Sequence, residues 1–209
     1  MQFETKSWQS RNRIIGEKDF ILLTVPTLKK KGFQKINEVE INNTTNWKFK
    51  HFKSIEINYK KSSFFKIYIK FFEELYSKDW KKICNLNIYI TNFIIKELGI
   101  ETKIFYDTDY SFKEKKTGRL IEMCKQVKAN SYLSNLGSQS YVDLHLFKKN
   151  KLDHFFIDFI SKPYRQKKTG FIPNLTVFDM LFFCGKEKTI KAIKSKDSIK
   201  MSKNCLKLI

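Results

Sequence analysis

Four arginines in 209 residues, each in a compact polar neighbourhood, are the first places where this chain could do chemistry. Arg11 and Arg13 flank Asn12, three residues after Trp8. Two guanidiniums around an amide can grip a phosphate or carboxylate bidentately, with the indole as a stacking face. The structural reading of the same residues is a surface ion-pair cluster that pins the N-terminus. Arg165 lies in Pro163-Tyr164-Arg165-Gln166, and the sequence continues through Gly170, Pro173-Asn174 and Thr176 to Asp179. This reads as a loop after a strand that leads into a capped helix. Open α/β sheets hold ligands at such places, where a helix N-terminus presents free N–H groups to anions. Thr176 and Asp179 themselves read as capping residues, while Tyr164, Gln166 and Asn174 are candidates for substrate contact. Arg119 follows Gly118 near a helix start, where the macrodipole disfavours a cation. It therefore calls for a partner, either a ligand or a carboxylate such as Asp107 or Asp109. His51 is the candidate internal base, weighed against a core-edge histidine satisfied by its neighbours. Cys184 beside Gly185 reads as a buried cysteine at a helix end rather than a nucleophile.

Arginine is informative because the rest of the composition is skewed. The net charge is +20, yet of 41 basic residues only 4 are arginine, leaving 37 lysines. Alanine occurs only at Ala129 and Ala192, while Lys, Asn, Ile and Phe are abundant, as an AT-rich genome produces. A charge of this size attracts nucleic acid, anionic lipid or anionic substrates. The lysines nevertheless spread along the whole chain, so a solvated surface is the stronger reading and nucleic acid the lesser one. No apolar run reaches the roughly 20 residues a spanning helix needs, and the first residues lack a signal-peptide core; the expected location is the cytoplasm. Cys84, Cys124, Cys184 and Cys205 form no cluster and are expected to be reduced. No Cys/His spacing suggests a metal, and no residue pattern names a cofactor. P-loop, Rossmann glycine, GxSxG and HExxH patterns do not occur.

The elements that must position these residues alternate between apolar runs and helical stripes. Trp8–Ile15 reads as a loop or short helix. Residues 19–26 make a nearly continuous apolar run suited to a strand buried on both faces. Lys29–Gly32 reads as a basic turn and Ile36–Ile41 as a second strand. Three helices are expected next. Phe49, Phe52, Ile55 and Tyr59 mark the first. Phe64, Ile67, Tyr68, Phe71, Phe72 and Leu75 mark the second, capped by Ser62 or Ser63. The third, capped by Asp79, carries Ile83, Leu86, Ile90, Ile94 and Leu98 before Gly99. Thr102–Tyr106 is a strand candidate, Lys115–Lys128 a helix, Asn130–Ser134 and His154–Ile160 strands, and Thr176–Phe183 a helix stopped at Gly185. Strands interleaved with helices argue for an α/β fold, one domain with a mainly parallel sheet flanked by helices. The expected domain spans 1–185, followed by a Lys-rich helix and tail over 186–209.

The order of several short segments resembles the WbqC-like family. They are Trp8-Gln9-Ser10-Arg11-Asn12-Arg13-Ile14, Leu23-Thr24-Val25-Pro26, Trp47 with Lys50-His51, Leu98-Gly99-Ile100 and Arg119-Leu120-Ile121. Tyr132-Leu133-Ser134, Tyr164-Arg165-Gln166 and Pro173-Asn174-Leu175 through Asp179 to Gly185 complete the set. Each piece is unspecific; the ordered series is specific. The resemblance implies a link to O-antigen and other surface-polysaccharide gene clusters. It also implies a preceding His-Gln-Pro-type segment and an acidic stretch, of which Gln2-Phe3 alone would remain here. The expected function is an enzyme of surface-polysaccharide assembly, transferring a group to an activated sugar or amino sugar. Its expected partner is an anionic small molecule such as a nucleotide-sugar, held by Trp8, Arg11, Asn12, Arg13, Arg119, Tyr164, Arg165, Gln166 and Asn174, with His51 as base. A basic nucleic-acid-binding module and a non-catalytic scaffold are the rival classes.

Overall fold

The polar run that opens the chain is a strand. Arg11–Ile15 (β1) pairs antiparallel with Phe20–Thr24 (β2), with Arg11 opposite Thr24 and Ile15 opposite Phe20. The turn between them closes where the Gly16 N–H donates to the Asp19 carbonyl at 2.8 Å. A Cβ on Gly16 would lie 2.5 Å from that carbonyl oxygen, so the turn needs glycine. The computed structural model describes residues 2–28, 32–167, 170–195 and 199–203. Contacts divide the chain into two units, Met1–Glu101 with Lys162–Ile193, and Thr102–Ser161 with Lys194–Ile209.

The first unit sets the β1–β2 ribbon with helices α1 (Trp47–Tyr59), α2 (Phe65–Ser77) and α3 (Ile83–Glu97). The apolar stripes read from the sequence form much of its core: Ile55, Tyr59, Tyr68, Phe71, Phe72, Leu75, Ile83 and Leu86 are buried. Phe49 and Ile67 from the same stripes are exposed. Ser62, Ser63 and Asp79 are not the caps; α2 and α3 begin after Phe64 and Lys82, without a side-chain cap. Phenylalanine supplies much of the core, with Phe71 stacked on Phe93 at 3.8 Å and Tyr59 on Phe182 at 4.4 Å. Such ring pairs add to the area term.

In the second unit α4 (Lys116–Gln126) and α5 (Leu144–Lys149) accompany strands β3 (Ser131–Asn135), β4 (Asp153–Phe159) and β5 (Ile199–Lys203). The strand order is β3-β4-β5, with β3–β4 parallel and β4–β5 antiparallel. Ile121, Val142 and Phe147 form a separate small core.

The architecture is therefore α/β, but not around a mainly parallel sheet. Two strands expected for such a sheet are absent. Ile36–Glu38 is a 3-10 turn in which the Glu38 carboxylate accepts from the Lys35 N–H. Val39 and Ile41 are buried next to it, and single bridges at Glu40 and Ile41 take the place of a ladder. Thr102–Tyr106 is irregular, with Ile104, Phe105 and Tyr106 all exposed, so its apolar pattern has no sheet face to serve. β2 is buried on one face only; Phe20 and Leu22 point outward from the ribbon. Of the expected basic turn, Lys29–Lys31 lie outside the described residues, as do 204–209 of the expected tail and Cys205 within it.

Helix α6 (Val177–Ile193) is broken at Gly185, where φ is 79° and ψ 175°. This backbone region is essentially reserved for glycine, and a Cβ there would meet the Phe64 ring at 2.6 Å. The second half of α6 packs on the first unit's core through Ile190 and Ile193, and Thr189 is buried and donates to the Gly185 carbonyl at 2.7 Å. Gly185→Ala is expected to lower unfolding free energy by about 1–3 kcal/mol. Gly137→Ala, where an added Cβ meets nothing within 4 Å, is expected to be close to neutral. Urea unfolding of both variants checks the contrast.

Candidate functional site: a cavity beside two arginines

Asp179 sits one turn into α6, inside the apolar run Val177-Phe178-Asp179-Met180-Leu181-Phe182, and is 0% exposed. Its Oδ1 accepts from the Tyr59 hydroxyl at 2.7 Å. Its Oδ2 accepts from the Tyr164 hydroxyl at 2.8 Å and the Gln166 amide at 3.1 Å. Tyr59 in turn accepts from the Ile15 N–H at 3.0 Å. Gln166 also bonds both backbone groups of Ile172, so the loop is folded on its amide. Burial pushes the Asp179 carboxyl above its usual range, against the pull of the three donors. Tyr164 and Gln166, expected to face a substrate, are thus turned inward onto this carboxylate. The sequence reading missed Asp179 and Tyr59; the signal was a lone carboxylate in an apolar run, which a cap does not require.

Next to this network lies a cavity of about 390 Å³, within the size range of small-molecule sites. β1, β2, α1, α2, α3 and the first half of α6 all contribute to its wall. Trp8, Arg11, Asn12 and His51 line it, together with Asn87 and Thr91 of α3. The structure therefore brings together four of the residues singled out from sequence, three of them from one short segment. Strand alternation gives Arg11 and Arg13 the same side of β1. The Arg13 guanidinium lies over two rings, 4.9 Å from the Trp8 centroid and 4.3 Å from that of Phe20. Trp8 is 62% exposed, so the stack is open to solvent.

The Nε atoms of Arg11 and Arg13 are buried without a hydrogen-bond partner, and they are the only such side-chain polar atoms among the described residues. A buried N–H of a cation left unmatched is costly. The complement it lacks is an anionic acceptor.

His51 is buried, with its Nε2 3.1 Å from the Thr24 carbonyl. A carbonyl only accepts, so Nε2 carries the proton and Nδ1 the lone pair. Burial depresses its pKa to about 4. A ring held so weakly basic has little driving force to take a proton near neutrality and serves better as a hydrogen-bonding wall group.

The other candidates are placed elsewhere. Arg119 belongs to the second unit, where it pairs with Asp107 at 2.9 Å and covers the Phe112 ring; Asp107 is one of the two carboxylates named for it from sequence. Arg165 is exposed, and its carbonyl accepts from the Cys184 thiol at 3.8 Å. Asn174 is exposed with φ at 59°, a left-handed conformation that asparagine tolerates, so the backbone turn accounts for its residue type. Cys84 and Cys184 are half-buried, Cys124 is buried, and all three are free. Among the described residues no three His, Cys, Asp or Glu side chains converge as metal ligands. No helix among them is long and apolar enough to cross a membrane.

Comparison with known protein families matches residues 1–191 to the WbqC-like protein family. The chain belongs to this family. It is 32% identical over 190 residues to the "Uncharacterized protein Rv1507c" of Mycobacterium tuberculosis, covering 90% of this chain and 82% of that protein. No solved structure matches it. The match spans both arginines of β1, the cavity and the Asp179 network.

The depressed pKa of His51 has a measurable consequence. The unfolded imidazole takes up its proton near 6.5 and the folded one only near 4. Its contribution to stability is therefore complete above pH 6.5 and is lost as pH falls through 4. The difference in unfolding free energy between the native chain and His51→Gln is expected to fall by on the order of 3 kcal/mol across that window. Urea titrations at several pH values measure it, and a pH-independent difference would show that the ring is not held neutral.

Proposed function

We propose that this WbqC-like protein binds an anionic small molecule at Arg11 and Arg13 and transfers a group to an activated sugar or amino sugar in bacterial surface-polysaccharide assembly. The observation that carries the binding half is the pair of buried, unpartnered guanidinium Nε atoms on one side of β1, with Arg11 in the wall of the cavity. A phosphate or carboxylate supplies the acceptors they lack. Trp8 stacks on Arg13 and holds its guanidinium plane, which favours bidentate contact. The setting in polysaccharide assembly comes from the resemblance to the family, and a nucleotide-sugar is the anion that fits it.

Tyr164 and Gln166 act at one remove in this reading. By holding Asp179 they hold Tyr59, and through it the end of β1. Isothermal titration with nucleotide-sugars tests the proposal. Arg11→Gln and Arg13→Gln are each expected to weaken binding about 10- to 100-fold, the loss of a charge-assisted hydrogen bond of about 1.5–3 kcal/mol. Binding indifferent to both substitutions would overturn it.

A further inference from the structure

The cavity wall behind Arg11 is unsuited to a ring covered in hydroxyls. Ile55, Leu75, Leu86, Phe72, Phe178 and Phe182 form it, all of them buried. Three of the polar residues that line the cavity already commit a donor to a partner. The Tyr59 hydroxyl donates to Asp179 and accepts from the Ile15 N–H. The His51 Nε2–H is taken by the Thr24 carbonyl at 3.1 Å, and the Asn87 amide donates to the Gln9 carbonyl at 2.8 Å. A sugar hydroxyl placed against the six apolar side chains loses its water without gaining a matched hydrogen bond. A hydrocarbon gains from the same surface.

We propose that the cavity holds the alkyl or acyl chain of an amphiphilic anion, with its phosphate or carboxylate at Arg11. This rests on the reading of Arg11 as an anion site and adds the chemistry of the body attached to that anion. Arg11 is the only arginine in the cavity wall, so the charged end is expected there and the chain among the buried aliphatic and aromatic side chains. Thr91 of α3 is exposed and also lines the cavity, which marks it as a rim position where a larger side chain reaches inward without disturbing the core.

The test titrates the full chain with two homologous series, straight-chain carboxylates and alkyl phosphates of increasing length, alongside inorganic phosphate and nucleotide-sugars. Kd is expected to fall about fourfold per added methylene until the cavity is full. The series with the lower Kd at equal length identifies the head group. Thr91→Trp is expected to abolish the length dependence while leaving the urea midpoint unchanged. Arg11→Gln is expected to weaken every member about equally and to preserve the slope. A Kd independent of chain length, with phosphate or nucleotide-sugars still bound through Arg11, overturns the apolar subsite and leaves the anion site standing. A length dependence that survives intact with no response to Arg11→Gln overturns the anion site instead.

Discussion

A carboxylate with no cation paired to it among the described residues is buried in the first unit, and the surrounding elements are arranged to keep its two oxygens hydrogen-bonded. Asp179 is reached by Tyr59 from α1 and by Tyr164 and Gln166 from the segment before α6. Burying a carboxylate is tolerable only when donors replace its water. Three donors do so here, and the raised pKa shows that they offset only part of the cost. Such an arrangement is demanding, because removing one donor strands a lone pair in a place water does not reach. It also specifies geometry. The Tyr59 ring stacks on Phe182, one turn beyond Asp179, so polar and apolar contacts fix the same two helices against each other.

The constraint passes to the strand that carries the arginines. The Ile15 N–H ends on the Tyr59 hydroxyl, and the Arg13 carbonyl accepts from the Thr176 N–H at 2.8 Å. β1 is held by β2 on one side, by the approach to α6 on another and by Tyr59 at its end. Register along a strand decides which face each side chain takes. Arg11 and Arg13 are thus committed to one side and Asn12 and Ile14 to the other. The unit contains a carboxylate whose acceptors are met and two arginines whose buried Nε donors are not.

Much of this was legible in local pattern. The three-to-four spacing of Phe and Ile marked α1, α2 and α3, and Gly185 marked the break in α6, because these signals act over one or two turns. β1 was not legible. Its strand period is masked by Arg-Asn-Arg, in which Arg13 rests on Trp8 and Phe20 instead of on solvent. Ile36–Ile41 misled because Val39 and Ile41 are buried in a segment tied only by isolated bridges, Ile41 with Thr27 and Glu40 with Lys82. The roles of Tyr164 and Gln166 depend on Tyr59 and Asp179, 120 positions apart, and no spacing rule reports such a pair. Asn174 shows the opposite ambiguity: a left-handed turn accounts for its type, a backbone demand that resembles a functional one in sequence.

The contrast between lysine and arginine gains physical content from the structure. Lys53 pairs with Glu56, Lys78 with Glu74 and Lys82 with Glu40 at substantially exposed sites, where solvent screens the attraction and each pair contributes little. Among the described residues many more lysines show no such pair, consistent with a solvated charge that composition bias has accumulated. Arginine is used where planarity matters. Arg13 lies between Trp8 and Phe20, and Arg119 covers Phe112 while bonding Asp107, contacts in which a flat delocalised cation and an aromatic face match. Replacing either by lysine would keep the formal charge and remove the stacking plane. The net charge of +20 is therefore a poor guide to the site. The few cations retained as arginine are the informative ones, and of these Arg11 and Arg13 each hold a buried Nε donor that is unmet.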